Sequence, residues 1–375
     1  MNHPHTRSVR LNKIELWDLK IPFRDGPYRM SHVVQETTFG KVLCLHTDNG
    51  ICGLGEIVPA PPLEPQERLA RYSETLPLLS DLIGEPHTSI KELINALQER
   101  DASWNGITFG METAYYDLLA RQSEATFADV LGGARDTSIE DYFSISEEDP
   151  ARVRVRMAMA GSQRKVIQIK VGVYSLAHEL GLIRTALDLM TESQVLLADA
   201  NGGWSPEQAE EAINAIQDTR LIWEEPCQFY EENRNLCRSF DAQILLDGET
   251  SRDAETAKRA ILDGTAYGMC IKPALVGGLG IARQIRDLCA EAGIKMRIDG
   301  PWCGDIASAA IVNLAMGAPP DLLIAGCDLR EPLSRHPDLD GLFHATENRI
   351  SPSHPYGFDA AEVRRLLGPA ERVWN

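Results

Sequence analysis

The sequence predicts an α/β fold, a TIM-like (β/α)8 barrel preceded by a compact α+β domain. Three observations predict it. After Gly133, eight short apolar segments alternate with helical stretches at a pitch of roughly 25–30 residues. Before Gly133, three strand-like segments run into a long stretch of helical pattern, the order of an α+β unit. No G-x-G-x-x-G follows the first alternating strand, which favours a barrel over a doubly wound dinucleotide-binding sheet.

The bulk numbers bound the function. A chain of 375 residues is too long for one small core. Its hydrophobic fraction of 43% and charged fraction of 25% are those of an ordinary enzyme. With 37 basic and 55 acidic residues, the net charge of −18 makes nucleic acid and anionic membrane poor partners. The eight cysteines are scattered without a C-x-x-C pair, which points to a reducing compartment. The first ten residues carry no apolar h-region, and no run of about 18 apolar residues occurs. The expectation is a cytoplasmic protein, without a membrane or nucleic-acid partner, acting as a homo-oligomer on a small molecule.

The N-terminal elements follow from local chemistry. Strands are expected at Val9–Leu19, Thr38–His46 and Ile51–Glu56, the last two joined by a hairpin turn in which Asn49-Gly50 supplies positive φ. The turn-rich Ile21–Tyr28 and the proline-rich Pro59–Pro65 read as loops. Helical spacing runs from Glu67 to Leu131 and stops at Gly132-Gly133. The barrel strands are then placed at Ser138–Ile145, Val166–Val171, Val195–Ala200, Leu221–Glu224, Ile244–Asp247, Tyr267–Lys272, Lys295–Asp299 and Leu322–Asp328. A short helix closes the chain at Ala360–Leu367.

Barrel chemistry sits at the C-terminal ends of the strands. Three consecutive strands end in acids there. Asp199 and Glu224 are 25 positions apart, and Asp247 follows 23 later, with Glu249 two beyond it. Carboxylates placed side by side repel unless a hard cation such as Mg2+ lies between them. The second strand ends Gln168-Ile-Lys170 and the sixth Cys270-Ile-Lys272. In a closed barrel those strands are nearly opposite, so two lysines face each other across the cation. A carboxylate substrate held there has an acidified α-proton, which a lysine base on either face can remove. Burial and a neighbouring cation are expected to lower the lysine pKa. Singly, a strand-end acid usually caps the next helix and a lysine there is a solvated surface residue. Five in register are far harder to explain that way. The histidines, His46 and His178 among them, lie at no metal spacing and end no barrel strand.

Gln168-Ile-Lys170, Asp199-Ala-Asn201, Glu224-Glu-Pro226, Asp247-Gly-Glu249 and Lys272 with Gly277-Gly278 resemble the enolase superfamily, in its muconate-lactonizing-enzyme-like subgroup. Gly53-Leu-Gly-Glu56, Met111–Leu118 and Leu131-Gly-Gly133 extend the likeness over nearly the whole chain. The resemblance implies an α+β capping domain (1–133), a (β/α)7β barrel (134–343), and a C-terminal segment (344–375) returning to the capping domain. It implies Mg2+ and an enolate intermediate, with Asp199, Glu224 and Asp247 or Glu249 as metal ligands and Lys170 and Lys272 as the acid/base pair.

Ile21–Tyr28, Glu225-Pro-Cys227 and Trp302–Ile306 are similar to the proline-betaine and hydroxyproline-betaine epimerases and the cis-3-hydroxyproline dehydratases. This implies substrate contacts from Trp302, whose indole suits a quaternary ammonium by cation–π attraction, and from Tyr28 and Gln168. Packing of Trp302 under the capping domain is the plain alternative.

Three departures stand out. Gln168 replaces the first lysine of a Lys-x-Lys, the fifth strand reads Asp-Gly-Glu, and Pro59–Pro65 lacks an aromatic for a second ammonium wall.

The leading expectation is a Mg2+-dependent racemase or epimerase of a proline- or betaine-like carboxylate. A dehydratase working by β-elimination shares its first step, and a metal-binding barrel without turnover is the alternative of another class.

Overall fold

The computed structural model describes residues 9–23, 28–29, 34–61, 65–326, 343–346, 349–352 and 360–375. The N-terminal sheet has the strands β1 (Leu11–Pro22), β2 (Thr37–Thr47) and β3 (Cys52–Ile57), antiparallel in that order. The expected hairpin turn joins β2 to β3, with Gly50 at φ 86°. Helices Pro65–Ser80, Ser89–Gln98 and Asn105–Gln122 follow.

Asn105–Gln122 lies on β3 at backbone distance, and two glycines permit it. A Cβ at Gly55 would stand 2.0 Å from the Gly110 carbonyl oxygen, and one at Gly53 2.2 Å from that of Ala114. Asp117 on the same helix accepts the Leu54 N–H at 2.8 Å. The Gly-Leu-Gly-Glu and Met111–Leu118 motifs are therefore two sides of one contact.

Eight parallel strands form a nearly closed barrel: Tyr142–Ile145, Val166–Lys170, Val195–Asp199, Leu221–Glu224, Ile244–Leu246, Gly268–Ile271, Lys295–Ile298 and Leu323–Gly326. Helices follow the first seven, the (β/α)7β pattern, while the described chain after the eighth resumes in an antiparallel hairpin, Phe343–Thr346 with Arg349–Pro352. The expected first strand, Ser138–Ile145, is broken: Ile139–Glu140 leaves the barrel to pair with Arg349–Pro352. The period of two along a strand sorts side chains inward and outward. Tyr142, Val166, Leu197, Ile222, Leu245 and Ala325 form an apolar layer inside the barrel. Two residues further along three of those strands come Gln168, Asp199 and Glu224.

The two domains are joined by carboxylates set on helix N-termini. Glu56, at the end of β3, accepts the N–H groups of Gly304 (2.5 Å) and Ala307 (3.0 Å), at the start of barrel helix Asp305–Met316. Glu112 accepts the N–H of Gly280 (3.1 Å), in the first turn of Leu279–Ala292. Each sets a carboxyl oxygen against free N–H groups at the start of a helix. At the C-terminus, Arg372–Trp374 pairs antiparallel with β1. No helix among the described residues is long and apolar enough to cross a membrane.

Candidate active site

Strand register brings the acids together. Lys170 is paired with Asp199, and Asp199 with Glu224, across neighbouring strands, while Asp247 lies just past the end of the next. Asp199, Glu224 and Asp247 are almost wholly buried, at 1%, 0% and 5% exposure. Lys170 Nζ donates to Asp199 Oδ2 at 2.5 Å, and Lys272 Nζ to Asp247 Oδ2 at 2.5 Å. The lysine side chains keep 20% and 18% exposure, so the cluster opens toward solvent at its lysine-bearing edge.

Gln168 is built into this cluster. Its Nε2 donates to Asp199 Oδ2 (3.0 Å) and Glu224 Oε2 (2.9 Å), and its Oε1 accepts from Ser144 Oγ (3.0 Å). A neutral amide thus bridges two carboxylates.

Asp247 and Glu249 part company. Asp247 faces Lys272, whereas Glu249 is exposed and its Oε2 accepts the Tyr230 N–H at 2.6 Å, at the start of helix Tyr230–Ser239. Between them sits the reason for the unusual Asp-Gly-Glu. A Cβ at Gly248 would lie 2.2 Å from Glu225 Oε1. Glu225, at φ 41°, turns inward and accepts from Asp247 N (2.6 Å) and Asn233 Nδ2 (3.3 Å). Burial, and then the Asp247 charge, push its carboxyl well above the usual range.

Arg297 was not singled out on sequence. It is 1% exposed; Nη1 donates to Glu224 Oε2 at 2.7 Å, Nη2 donates to Oε1, and the guanidinium lies 5.3 Å from the Tyr142 ring centre. Tyr142 in turn donates to Asp299 Oδ2 at 2.8 Å. The available signal was an arginine in a strand of otherwise apolar interior, Lys-Met-Arg-Ile (295–298): buried arginine demands a carboxylate.

These contacts order the charges. Burial raises the Glu224 carboxyl to about 7 although Arg297 opposes it. Burial would also raise Asp247, but Lys272 and Arg297 outweigh it and hold the carboxyl below its ordinary value. Burial pushes the Lys272 ammonium down, yet Asp247 outweighs it and keeps the ammonium above its ordinary value. That is opposite to the direction expected from burial alone.

Three buried carboxylates supply the hard oxygen donors that Mg2+ requires. Asp247 Oδ1 is buried without a hydrogen-bond partner, an oxygen left for such an ion. The donor set fits the cation.

Trp302 is half-buried; its carbonyl accepts from Thr38 Oγ1 at 2.7 Å and its ring meets Phe23 edge-on, centroids 5.5 Å apart. Both partners belong to the N-terminal domain. Tyr28 pairs through its backbone with Gln35, and its side chain lies outside the described residues.

Two family models match the chain: the mandelate racemase/muconate lactonizing enzyme N-terminal domain over residues 14–132, and the enolase C-terminal domain-like family over 151–355. The chain is 28% identical over 326 residues to cis-3-hydroxy-L-proline dehydratase of Roseibium aggregatum, covering 85% of this chain and 88% of that protein. It is 29% identical over 325 residues to N-succinylamino acid racemase of Thermus thermophilus, covering 81% and 80%. A mandelate racemase/muconate lactonizing enzyme from Roseovarius nubinhibens superposes with a TM-score of 0.84 at 25% identity, over 98% of this chain and 100% of that one. A magnesium-complexed enolase-superfamily member of the same organism, 22% identical with a TM-score of 0.85 over 98% and 100%, shares the fold.

Proposed function

Because the chain belongs to the mandelate racemase/muconate lactonizing enzyme branch of the enolase superfamily, we propose that it is a racemase or epimerase removing the α-proton of a proline- or betaine-like carboxylate by a two-base lysine mechanism. The observation that carries the reading is the pair of lysine amino groups, Lys170 on the second barrel strand and Lys272 after the sixth, each bonded to a different acid of one cluster. Asp199, Glu224 and Asp247 would hold Mg2+; Glu249, turned to Tyr230, is left out of the ligand set. The cation supplies electrostatic stabilisation as charge grows on the substrate carboxylate. With Lys170 as the free amine and Lys272 as the ammonium, Lys170 Nζ takes the α-proton on one face and Lys272 Nζ returns one on the other; protonation states and roles exchange for the opposite stereoisomer. Gln168 and Arg297 fix Asp199 and Glu224, and Trp302 walls the pocket toward the capping domain.

A second reading rests on the cis-3-hydroxy-L-proline dehydratase relative. The same base then removes the α-proton, and the β-hydroxyl leaves as water after taking a proton from a lysine ammonium.

The test is a panel of proline, N-methylproline, betaine, hydroxyproline and N-acylamino-acid carboxylates in D2O with Mg2+, followed by NMR. Deuterium at the α-carbon with inversion supports epimerisation, and loss of water the dehydratase. Lack of exchange with every carboxylate, at saturating Mg2+, rejects both. Lys170→Ala and Lys272→Ala should each abolish exchange from one stereoisomer's face; two fully active variants would sink the two-base scheme.

A further inference from the structure

His46 sits at no recognisable metal spacing in the sequence, and the cysteines look scattered. The fold assembles them. Cys44 and His46 are two apart on β2 and share one face of the N-terminal sheet. His46 stands directly opposite Cys52 on β3, and Cys44 directly opposite Glu15 on β1. Directly opposed residues bring their Cβ atoms within about 4.5–5.5 Å, so four donor side chains on three adjacent strands meet at one point.

The donor atoms of Cys44, His46 and Cys52 all lie within 4.8 Å of one another. Cys44 Sγ is 3.2 Å from His46 Nε2, and Glu15 Oε2 is 2.7 Å from the same nitrogen. Around a tetrahedral zinc, with bonds of about 2.0–2.3 Å, neighbouring donors stand about 3.3–3.8 Å apart. Small side-chain movements separate this cluster from that geometry. A sulfur-rich set selects thiophilic cations over Mg2+.

We propose that Cys44, His46 and Cys52, with Glu15 as the fourth donor, form a structural binding site for a thiophilic divalent cation of the zinc type. The site lies on the sheet of the N-terminal domain, apart from the barrel strand ends that carry the lysines. Arg364 engages two of these donors: its Nη2 bonds Glu15 Oε2 at 2.5 Å and stands 3.0 Å from His46 Nε2. Cation and guanidinium compete for Glu15 and the imidazole. Loading the site therefore releases Arg364, on the C-terminal helix Ala360–Leu367, together with one proton from each thiol.

The full chain, reduced and saturated with Mg2+, is titrated with Co2+. One Co2+ per chain should bind with a thiolate-to-cobalt charge-transfer band, tetrahedral visible bands and release of two protons, and Zn2+ should bleach the bands. The barrel carboxylates offer oxygen donors and produce no thiolate band, so the readout separates the two sites without any variant. Cys52→Ser should remove most of the band. A wild-type protein that shows no thiolate band, or an unchanged band in Cys44→Ser/Cys52→Ser, would overturn the assignment.

Discussion

Both terminal nitrogens of Arg297 donate to Glu224, one to each carboxylate oxygen, and neither side chain reaches solvent. Removing one member of a buried ion pair strands the other charge, at a cost of about 3–5 kcal/mol. Arg297→Met should therefore lower unfolding free energy by about that amount, read from denaturant titration. Arg297→Lys should not rescue it, because an ammonium cannot bond both oxygens in the same plane. Arg297→Met/Glu224→Gln should recover part of the loss. A double variant as unstable as the sum of its parts would refute the coupling.

Asp247 and Glu249 give a cleaner test of the proposed metal ligands. Asp247 Oδ1 is buried and unpartnered, while Glu249 serves a helix N-terminus. Asp247→Asn should weaken Mg2+ binding at least tenfold, about 1.4 kcal/mol, by calorimetric titration. Glu249→Gln should leave that affinity within a factor of about two, a few tenths of a kcal/mol. The reverse ordering would move the third ligand to Glu249.

Much of this was legible because it is local. Strand ends announce themselves by an apolar run closing on a charge, so Asp199, Glu224, Lys170 and Lys272 could be placed from spacing alone. Glu249 could not be separated from Asp247, since the deciding atom is Glu225 Oε1, packed over Gly248 from the neighbouring strand. Arg297 finds Glu224 across 73 residues of sequence, and its strand gives no hint of which acid it meets. Cys44, His46 and Cys52 converge only through the antiparallel register of β2 and β3. Local chemistry names the donors; strand register chooses their partners.

Gly248 turns that register into a prediction. It has no need of positive φ, so alanine there is resisted by contact alone, at 2.2 Å from Glu225 Oε1. The carboxylate cannot retreat without losing Asp247 N and Asn233. Gly248→Ala should cost about 1–3 kcal/mol by overpacking. It should also weaken Mg2+ binding, because the strain falls on the backbone of Asp247. Full stability with unchanged metal affinity would show that the loop relaxes freely.

Glu112 makes stability depend on pH. Burial raises its carboxyl from 4.5 to about 7, against the helix N–H groups that favour the anion, and its Oε2 has no partner. Between those two values the folded chain holds a proton the unfolded chain has released. Stability contributed by this group therefore falls as pH rises from 4.5 to about 7 and is level above. Glu56 and Asp117, also raised to about 7 by burial, add to the same slope. Glu112→Gln keeps an oxygen for Gly280 and removes the buried charge. It should equal the wild type near pH 5 and exceed it at pH 8 by roughly 1–3 kcal/mol, the cost of an unpaired buried polar group. Parallel urea unfolding at the two pH values checks this. If the wild type instead gained stability relative to Glu112→Gln on going from pH 5 to 8, the helix N-terminus would be holding Glu112 as the anion, and the clamp between the domains would be electrostatic rather than protonated.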